Sequence, residues 1–298
     1  MARGVDRHKE AQVVKLRHEG EEAAASLPAL LAEAERIAAT VAQGVHGRRR
    51  SGVGETFWQY RHHRPEDGRA AIDWRQSARS DQLFVRQNEW EGANTIWLWR
   101  DGSASMRFAS SKHVPHKADR AAVCQIALAA LLTQGGERVS VLGESGIART
   151  GALGLERSSR RLALGPGALS SVEAPHISRF GRVVLASDFL DPIETWHARL
   201  SRFTAEECEG VLLRIVDPAE EDFPYSGRTR FEPADAGDSL LFGRAEEARS
   251  TYRLRWREHG EALAELARSR GWALVTHRTD RPATSAVLAL YRALAREV

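Results

Sequence analysis

Three oxygen-bearing side chains at alternate positions follow an apolar run of the sequence. Asp101, Ser103 and Ser105 come directly after residues 95–99, a run rich in β-branched and aromatic side chains. At this spacing a loop can turn one carboxylate and two hydroxyls toward a common point. These are hard oxygen ligands, which suit Mg²⁺, Mn²⁺ or Ca²⁺ better than Zn²⁺. The spacing therefore predicts a divalent-cation site, with a strand-to-helix turn held by side-chain caps as the alternative.

A second carboxylate follows another apolar run. Asp188 ends residues 181–187, and its side chain would reach the same ion if the two strands are neighbours. Asp191 is a weaker alternative, because its place before Pro192 is typical of a helix N-cap. We therefore expect Asp188 to complete the predicted site.

The elements that must position these residues alternate between strand-like and helix-like patterns. The strands are predicted at residues 95–99, 138–142, 181–187, 210–216 and 272–276, and the helices at 117–134, 155–164, 192–203, 244–270 and 283–296. This alternation indicates an α/β domain with a mainly parallel sheet. Ligands bind such sheets beyond the carboxyl ends of the strands, where the strand order reverses.

The N-terminal third of the chain has a different character. Residues 1–22 are charged and are expected to be frayed, and a helix is predicted within 27–41. Residues 44–92 are rich in arginine and tryptophan, with short strands at 56–60 and 83–87. We therefore predict three parts, namely a helical segment at 1–43, a β-rich segment at 44–92 and the α/β domain at 93–298.

The β-rich segment can be interpreted in two ways. Its acids and arginines could form a structural ion-pair network that orients one module on another. Alternatively, arginine and tryptophan, which are favoured at the centres of interfaces, could form a docking surface for a partner. The candidate partner-binding residues are Arg61, Arg69, Asp73, Trp74, Arg75 and Arg79.

The composition is that of an ordinary globular protein. Of 298 residues, 42% are hydrophobic and 28% are charged, with a net charge of +3 and two cysteines, which excludes disordered and disulfide-framework classes. Because no secretory signal opens the chain and no run approaches ~20 apolar residues, we expect a cytoplasmic protein, peripheral to a membrane only through partners.

Motifs typical of several enzyme classes are absent from the sequence. It has no Walker A lysine, no G-x-G-x-x-G after a strand and no G-x-S-x-G elbow. A non-catalytic interaction module is therefore favoured. Two alternatives remain, a metal-dependent phosphoester hydrolase that uses the same ion and a nucleic-acid-binding protein that uses arginine and tryptophan.

Spaced elements in residues 40–190 resemble a known bacterial family. Gly54-Glu55, Arg61, an acidic turn at 66–68 and Ile72-Asp73-Trp74 through Arg79 occur in the order of the "domain of unknown function fifty-eight" family (DUF58). In that family this signature precedes a von Willebrand factor A-like domain. Many members carry membrane helices before the signature, so this chain resembles a short, soluble variant.

The resemblance extends to the predicted cation site. The strand followed by Asp101, Ser103 and Ser105, with Asp188 later, resembles the metal-ion-dependent adhesion site of the von Willebrand A fold. That fold is a Rossmann-like, mainly parallel sheet with helices on both faces. The resemblance implies Mg²⁺, or Mn²⁺ or Ca²⁺, held by these residues with one position open for a partner's carboxylate. The family also uses a middle-loop threonine, for which the candidates here are Thr150, Ser158 and Ser159.

The resemblance also suggests a partner. Members of the family are commonly paired with MoxR-type AAA+ ATPases, in systems thought to assemble or activate other complexes in a chaperone-like manner. It therefore implies that this chain is an adaptor between such an ATPase and a client protein.

Overall fold

A computed structural model describes most of the chain outside its N-terminal third. The described residues are 2–25, 51–52, 56–62, 72–79, 82–89, 95–143, 151–165, 169, 177, 181–205, 207–234 and 237–295. The chain forms two compact units, residues 37–94 and residues 1–36 together with 95–298. Each unit is described below by itself.

Strands and helices alternate along the chain from residue 95 onward, and the first three strands and the second helix named below belong to the smaller unit. The strands are β1 (Ser51–Gly52), β2 (Thr56–His62), β3 (Phe84–Glu89), β4 (Thr95–Arg100), β5 (Arg138–Val141), β6 (Arg182–Ser187), β7 (Glu209–Val216), β8 (Thr229–Phe231), β9 (Leu240–Phe242) and β10 (Ala273–Arg278). The helices are α1 (Ala2–Ala25), α2 (Trp74–Ser77), α3 (Lys117–Gln134), α4 (Gly151–Leu164), α5 (Ile193–Ala205), α6 (Pro218–Asp222), α7 (Ala245–Arg268) and α8 (Ala283–Ala295).

The central sheet of the larger unit has five parallel strands in the order β10-β7-β6-β4-β5. The next strand in the chain, β5, lies on one side of β4, and the strands that follow, β6, β7 and β10, are added in turn on the other side. The β4–β6 pair is therefore the point where the strand order reverses. The predicted α/β class, with a mainly parallel sheet and helices on both faces, is confirmed.

Alternation along β4 explains why both faces of the sheet are covered. Ile96 and Leu98 belong to one buried cluster, in which helices α3, α4 and α8 pack on the sheet and α1 packs on those helices. Trp97 and Trp99 belong to the other cluster, which contains residues of α5 and α7. Because successive strand residues point to opposite faces, a run of apolar residues in β4 is needed to fill both layers.

One polar residue fixes helix α3 to the two strands at the reversal point. Gln125 is fully buried, and its Nε2 donates to the carbonyl of Trp99 in β4 (2.8 Å) and to that of Val184 in β6 (3.1 Å). These hydrogen bonds hold α3 at a defined position on the strands that carry the predicted site.

The prediction that residues 1–22 are frayed is wrong, because they form most of helix α1. Leu16 is 3% exposed and belongs to the core cluster that contains α3. Salt bridges at i,i+4 spacing join Lys15 to Glu19 and Arg17 to Glu21. Such pairs support a helix only weakly, so the packing of Leu16 accounts for most of the order. The helix predicted within 27–41 lies outside the described residues.

Helices α1 and α3 approach each other at a glycine. A Cβ atom at Gly20 would lie 2.6 Å from Cγ2 of Ile126, which is a stiff β-branched side chain. We expect Gly20→Ala to lower the free energy of unfolding by about 1–3 kcal/mol, as overpacking commonly does. Urea denaturation would measure it, with the exposed Val14→Ala as control within about 0.5 kcal/mol of wild type. Equal stability of Gly20→Ala and wild type would contradict this close contact.

The smaller unit contains a three-stranded antiparallel sheet in the order β1-β3-β2. The strands predicted at 56–60 and 83–87 are confirmed, each with slightly shifted ends. Ser77 is buried and organises the turn before β3, because its hydroxyl donates to the carbonyl of Asp73 (2.8 Å) and accepts from the amide of Phe84 (2.9 Å).

Among the helices of the described residues, none is both long and apolar enough to cross a membrane.

Candidate functional site

The predicted site lies at the carboxyl ends of β4 and β6. Asp101 follows β4 directly, and its amide donates to the carbonyl of Ala186 in β6 (2.8 Å). This hydrogen bond continues the parallel ladder by one residue, so the loop after β4 begins beside the end of β6. The loop therefore occupies the reversal point, where open α/β sheets bind ligands.

Four side chains, which we call the hydroxyl set, converge at this point: Asp101, Ser103, Ser105 and Ser187. Oδ1 of Asp101 accepts from the amide of Ser103 (2.8 Å), and Oδ2 accepts from the hydroxyl of Ser187 (2.6 Å). The Oγ atoms of Ser103 and Ser105 lie 3.1 Å apart. The Asp-x-Ser-x-Ser spacing thus places the Asp101 carboxylate on the amide of Ser103 and the two serine hydroxyls next to each other.

Ser187 is the member of the hydroxyl set that sequence analysis did not propose. The sheet register pairs Arg100 with Ala186, so the next residues, Asp101 and Ser187, lie level with each other. The position of Ser187 at the end of an apolar strand was visible in the sequence. Its side-chain direction required the register between β4 and β6, which sequence does not supply.

The donor chemistry of the hydroxyl set fits a hard divalent cation. Mg²⁺ ligands at about 2.1 Å in an octahedron lie about 3.0 Å from their neighbours, close to the separation of the Ser103 and Ser105 hydroxyls. Ser103 is exposed and Asp101 is half-buried, so the set is open to solvent. Within the described ranges, no group of three His, Cys, Asp or Glu side chains is placed to hold a metal, so a cation here would depend on hydroxyls.

Asp188, the fourth predicted ligand, forms an ion pair with a lysine of the same chain. Asp188 directly follows β6, which is adjacent to β4, and its carboxylate is buried, with Oδ1 accepting from the amide of Leu190 (3.3 Å). Oδ2 accepts from Nζ of Lys117 (2.8 Å), which is fully buried and also contacts Glu220. We call Lys117, Asp188 and Glu220 the buried trio.

The capping of helix α6 places Glu220 in the trio. Asp217 accepts from the amide of Ala219 (2.8 Å), and Glu220 Oε2 accepts from the amide of Asp217 (2.9 Å), which together form a capping box. Burial raises the pKa of Glu220 above its ordinary value, while the ammonium of Lys117 acts in the opposite direction. The other oxygen of Asp217 accepts from the amide of Ser110 (2.9 Å), which ties the loop after β7 to the segment before α3.

A second buried cation lies near the trio. Arg214, in β7, is 5% exposed and stacks on Trp256 with its Cζ 4.4 Å from the ring centroid. Burial lowers the pKa of Arg214, whereas the charges of Glu220 and Asp188 act to raise it. The acidic side chains of the trio therefore lie in the field of two cations.

Arg100 anchors the strand end just before the hydroxyl set. Its guanidinium donates to the carbonyls of Leu162 (2.6 Å) and Ala163 (3.2 Å), the last turn of helix α4. Gly165 follows with φ of +85°, and a Cβ atom there would lie 2.8 Å from Nη2 of Arg100. The glycine thus both ends the helix and admits the arginine.

The structure describes two of the three candidates for a middle-loop hydroxyl. Ser158 and Ser159 are buried within helix α4. Thr150 lies outside the described residues.

The candidate partner-binding residues lie in the smaller unit. Trp74 is 61% exposed, and Arg75 and Arg79 are exposed beside it, on and just after the short helix α2. Asp73 is half-buried, and its backbone hydrogen bonds hold that turn against Phe84. Arg61 lies in β2, but its side chain, like all of Arg69, is outside the described residues.

Curated relatives of the chain come from mycobacteria. An uncharacterized protein of Mycobacterium tuberculosis is 28% identical over 247 residues, which cover 77% of this chain and 76% of that protein. An uncharacterized protein of Mycobacterium bovis matches with the same values.

Two solved structures from Bacteroides are similar to this chain. An aerotolerance-related membrane protein of Bacteroides fragilis, carrying multiple mutations to serine, matches with a TM-score of 0.41 and 15% identity, over 67% of this chain and 98% of that one. The conserved hypothetical protein BatB of Bacteroides thetaiotaomicron matches with a TM-score of 0.36 and 13% identity, over 68% of this chain and 100% of that one.

The family comparison covers both units of the chain. The model described as "Protein of unknown function DUF58" matches residues 59–262, which include most of the arginine-rich signature and the elements from β3 through most of α7. The match begins later and extends further than the region of resemblance noted in the sequence. The chain belongs to the DUF58 family.

Proposed function

We propose that this protein is a non-catalytic, divalent-cation-dependent interaction module. In this proposal the hydroxyl set binds Mg²⁺, or Mn²⁺ or Ca²⁺, and a carboxylate of a partner protein completes the coordination. The observation that carries the proposal is the convergence of Asp101, Ser103, Ser105 and Ser187 at the reversal point of the sheet. A bound cation would supply a positive charge that attracts and orients an acidic side chain.

The hydrogen bonds of the hydroxyls support binding rather than nucleophilic catalysis. Ser187 donates to Asp101, while its Oγ accepts from the amide of Phe189 (3.1 Å). Ser103 and Ser105 hydrogen bond to each other. An activated serine nucleophile needs an adjacent general base that is itself oriented by a third group. The described hydrogen bonds of these hydroxyls instead hold their oxygen atoms in place as possible ligands of a metal ion.

Partly exposed apolar side chains close in sequence to the hydroxyl set favour a protein as the ligand. Leu190, two residues after Asp188, is 42% exposed, and Phe108, three residues after Ser105, is 36% exposed. A polar anchor beside partly exposed apolar side chains is the usual composition of a protein interface. In the smaller unit, the exposed Trp74 with Arg75 and Arg79 forms a second surface of the kind that binds acidic partners.

We infer from family membership that the partner is a MoxR-type AAA+ ATPase, with this chain as the adaptor to a client protein. Work from ATP hydrolysis would then come from the ATPase, because the sequence carries no Walker A motif. The proposal places the pair in the cytoplasm, at a membrane only through other partners.

Replacing Asp101 with alanine is expected to abolish cation-dependent capture of the ATPase. The change removes the carboxylate that anchors the hydroxyl set, so affinity for Mn²⁺ should fall at least about tenfold. Capture from purified components, with Mg²⁺ or with EDTA, would measure the effect. Asp191→Ala is the matched control, since this half-exposed acid at the same sheet edge pairs with Arg199 and lies outside the set.

Two outcomes would count against the proposed function. Equal capture in EDTA and in Mg²⁺ would exclude cation dependence. Loss of capture in Asp101→Ala with loss of cooperative melting would reflect misfolding, so Ser105→Ala, which removes one hydroxyl from the loop surface, serves as the second variant. Its Mn²⁺ affinity should also fall, and an unchanged value would argue against the site.

A further inference from the structure

The buried trio contains a lysine where the predicted metal site needs a free carboxylate. Lys117 is the first residue of α3 and has no exposed surface. Its ammonium lies between Asp188, after β6, and Glu220, in α6. Burying an ammonium is costly unless it is paired, so two carboxylates in contact make this position tenable.

The contacts of Asp188 leave little of its charge for another cation. One oxygen accepts from Lys117 and the other from the amide of Leu190. The guanidinium of Arg214 also acts on Asp188 from β7. Asp101, in contrast, hydrogen bonds to a hydroxyl and an amide, neither of which carries a charge. The charge of Arg100 also acts on Asp101, but of the two acids predicted as ligands only Asp188 forms an ion pair among the described residues.

We propose that Lys117 is a resident cation that competes with the divalent ion for Asp188 and so keeps the affinity of the hydroxyl set low. This inference rests on the proposed function, because it concerns the strength of that same site. A divalent ion held by Asp101 and neutral hydroxyls retains a net positive charge. The outside carboxylate of a partner neutralises it, so a weak resident site makes occupancy depend on the partner.

The test replaces the ammonium and measures Mn²⁺ binding by titration calorimetry. In Lys117→Met, a side chain of similar length carries no charge, so Asp188 is free to face the ion. Because affinity for hard cations rises with the number of charged ligands, we expect Mn²⁺ to bind at least about tenfold more tightly than to wild type. Mn²⁺ should also raise the melting temperature of the variant more than that of wild type.

A charge-matched variant guards against misfolding and against a general charge effect. Lys117→Met combined with Glu220→Gln removes one charge of each sign from the trio and leaves Asp188 alone. Its Mn²⁺ affinity should show the same gain. Adding Asp188→Asn to either variant should cancel the gain, because the released carboxylate is then missing.

The outcomes separate this inference from the proposed function. If wild type binds Mn²⁺ and both lysine variants bind it with equal or lower affinity, the role of Lys117 is overturned and the cation site is left intact. A gain that survives Asp188→Asn overturns it as well, since Asp188 would not be the competing ligand. Absence of Mn²⁺ binding in wild type and in both variants overturns the proposed function together with this inference. Tight binding seen only in the variants supports the inference.

Discussion

Replacing Lys117 with methionine is expected to lower the free energy of unfolding by about 3–5 kcal/mol. The lysine is fully buried, and its ammonium contacts both Asp188 and Glu220. Removing it leaves two carboxylates close together in a site where Asp188 is 3% exposed. Each loses its ion-pair partner and is repelled by the other. Urea denaturation in EDTA at pH 7, monitored by circular dichroism, would measure the loss without a bound cation.

Two further variants identify the cause of this destabilisation. Adding Glu220→Gln to Lys117→Met should recover part of the stability, because only one unpaired carboxylate then remains. Lys112→Met removes an exposed lysine from the segment before α3 and should stay within about 0.5 kcal/mol of wild type. If Lys117→Met unfolded at the same urea concentration as wild type with an unchanged slope, the buried trio would contribute nothing to stability.

The sheet and its helices could be predicted because their sequences carry strong hydrophobic periodicity. Helix α3 begins at Lys117 and ends at Gln134, as predicted, with glycines at its C-terminus. Strand β4 extends one residue beyond the predicted 95–99, to Arg100. Long apolar elements that are bounded by glycine or proline leave little freedom in where they end.

Elements with weaker patterns were missed. The hairpin of β8 and β9 is short, and its order comes from aromatic contacts, since Phe231 lies 5.7 Å from Phe223 and 5.6 Å from Phe242 between ring centroids. Phe242 is eleven residues from Phe231, and Phe223 belongs to the loop after α6. Such contacts are set by the tertiary structure and leave no periodic signal. Helix α1 was missed for a related reason, because one buried leucine on a charged helix gives little amphipathic pattern.

The site was predictable only as far as local spacing reaches. Asp101, Ser103 and Ser105 lie within five residues, so their convergence follows from one loop. Lys117 and Glu220 are separated by 103 positions and meet because α3 and α6 both begin at the carboxyl edge of the sheet. In sequence Lys117 is an ordinary first residue of a helix. Its pairing with Asp188 depends on which helix start faces which strand end, and that is a property of the assembled fold.

His277 is expected to make the protein sensitive to mild acid. It lies near the end of β10, is 3% exposed, and its Nε2 has no hydrogen-bond partner among the described residues. Burial, helped by the positive charge of Arg120, lowers the pKa of His277 from 6.5 to about 4, against the weaker opposing effect of Asp280. The folded protein therefore keeps this imidazole neutral where the unfolded chain takes up a proton.

The direction of the pH dependence follows from that difference in proton uptake. Above pH 6.5 neither state is protonated at His277, so the full stability is present, and it falls as pH decreases toward 4 because only the unfolded state gains the proton. Over this window the loss should reach about 3 kcal/mol. Because carboxylates also titrate near pH 4, the measurement is the difference between wild type and His277→Leu in urea denaturation at pH 7, 5.5 and 4.5. The free energy of unfolding of wild type minus that of His277→Leu should decrease as pH falls. A constant difference across the series would mean that His277 is protonated equally in the folded and unfolded states.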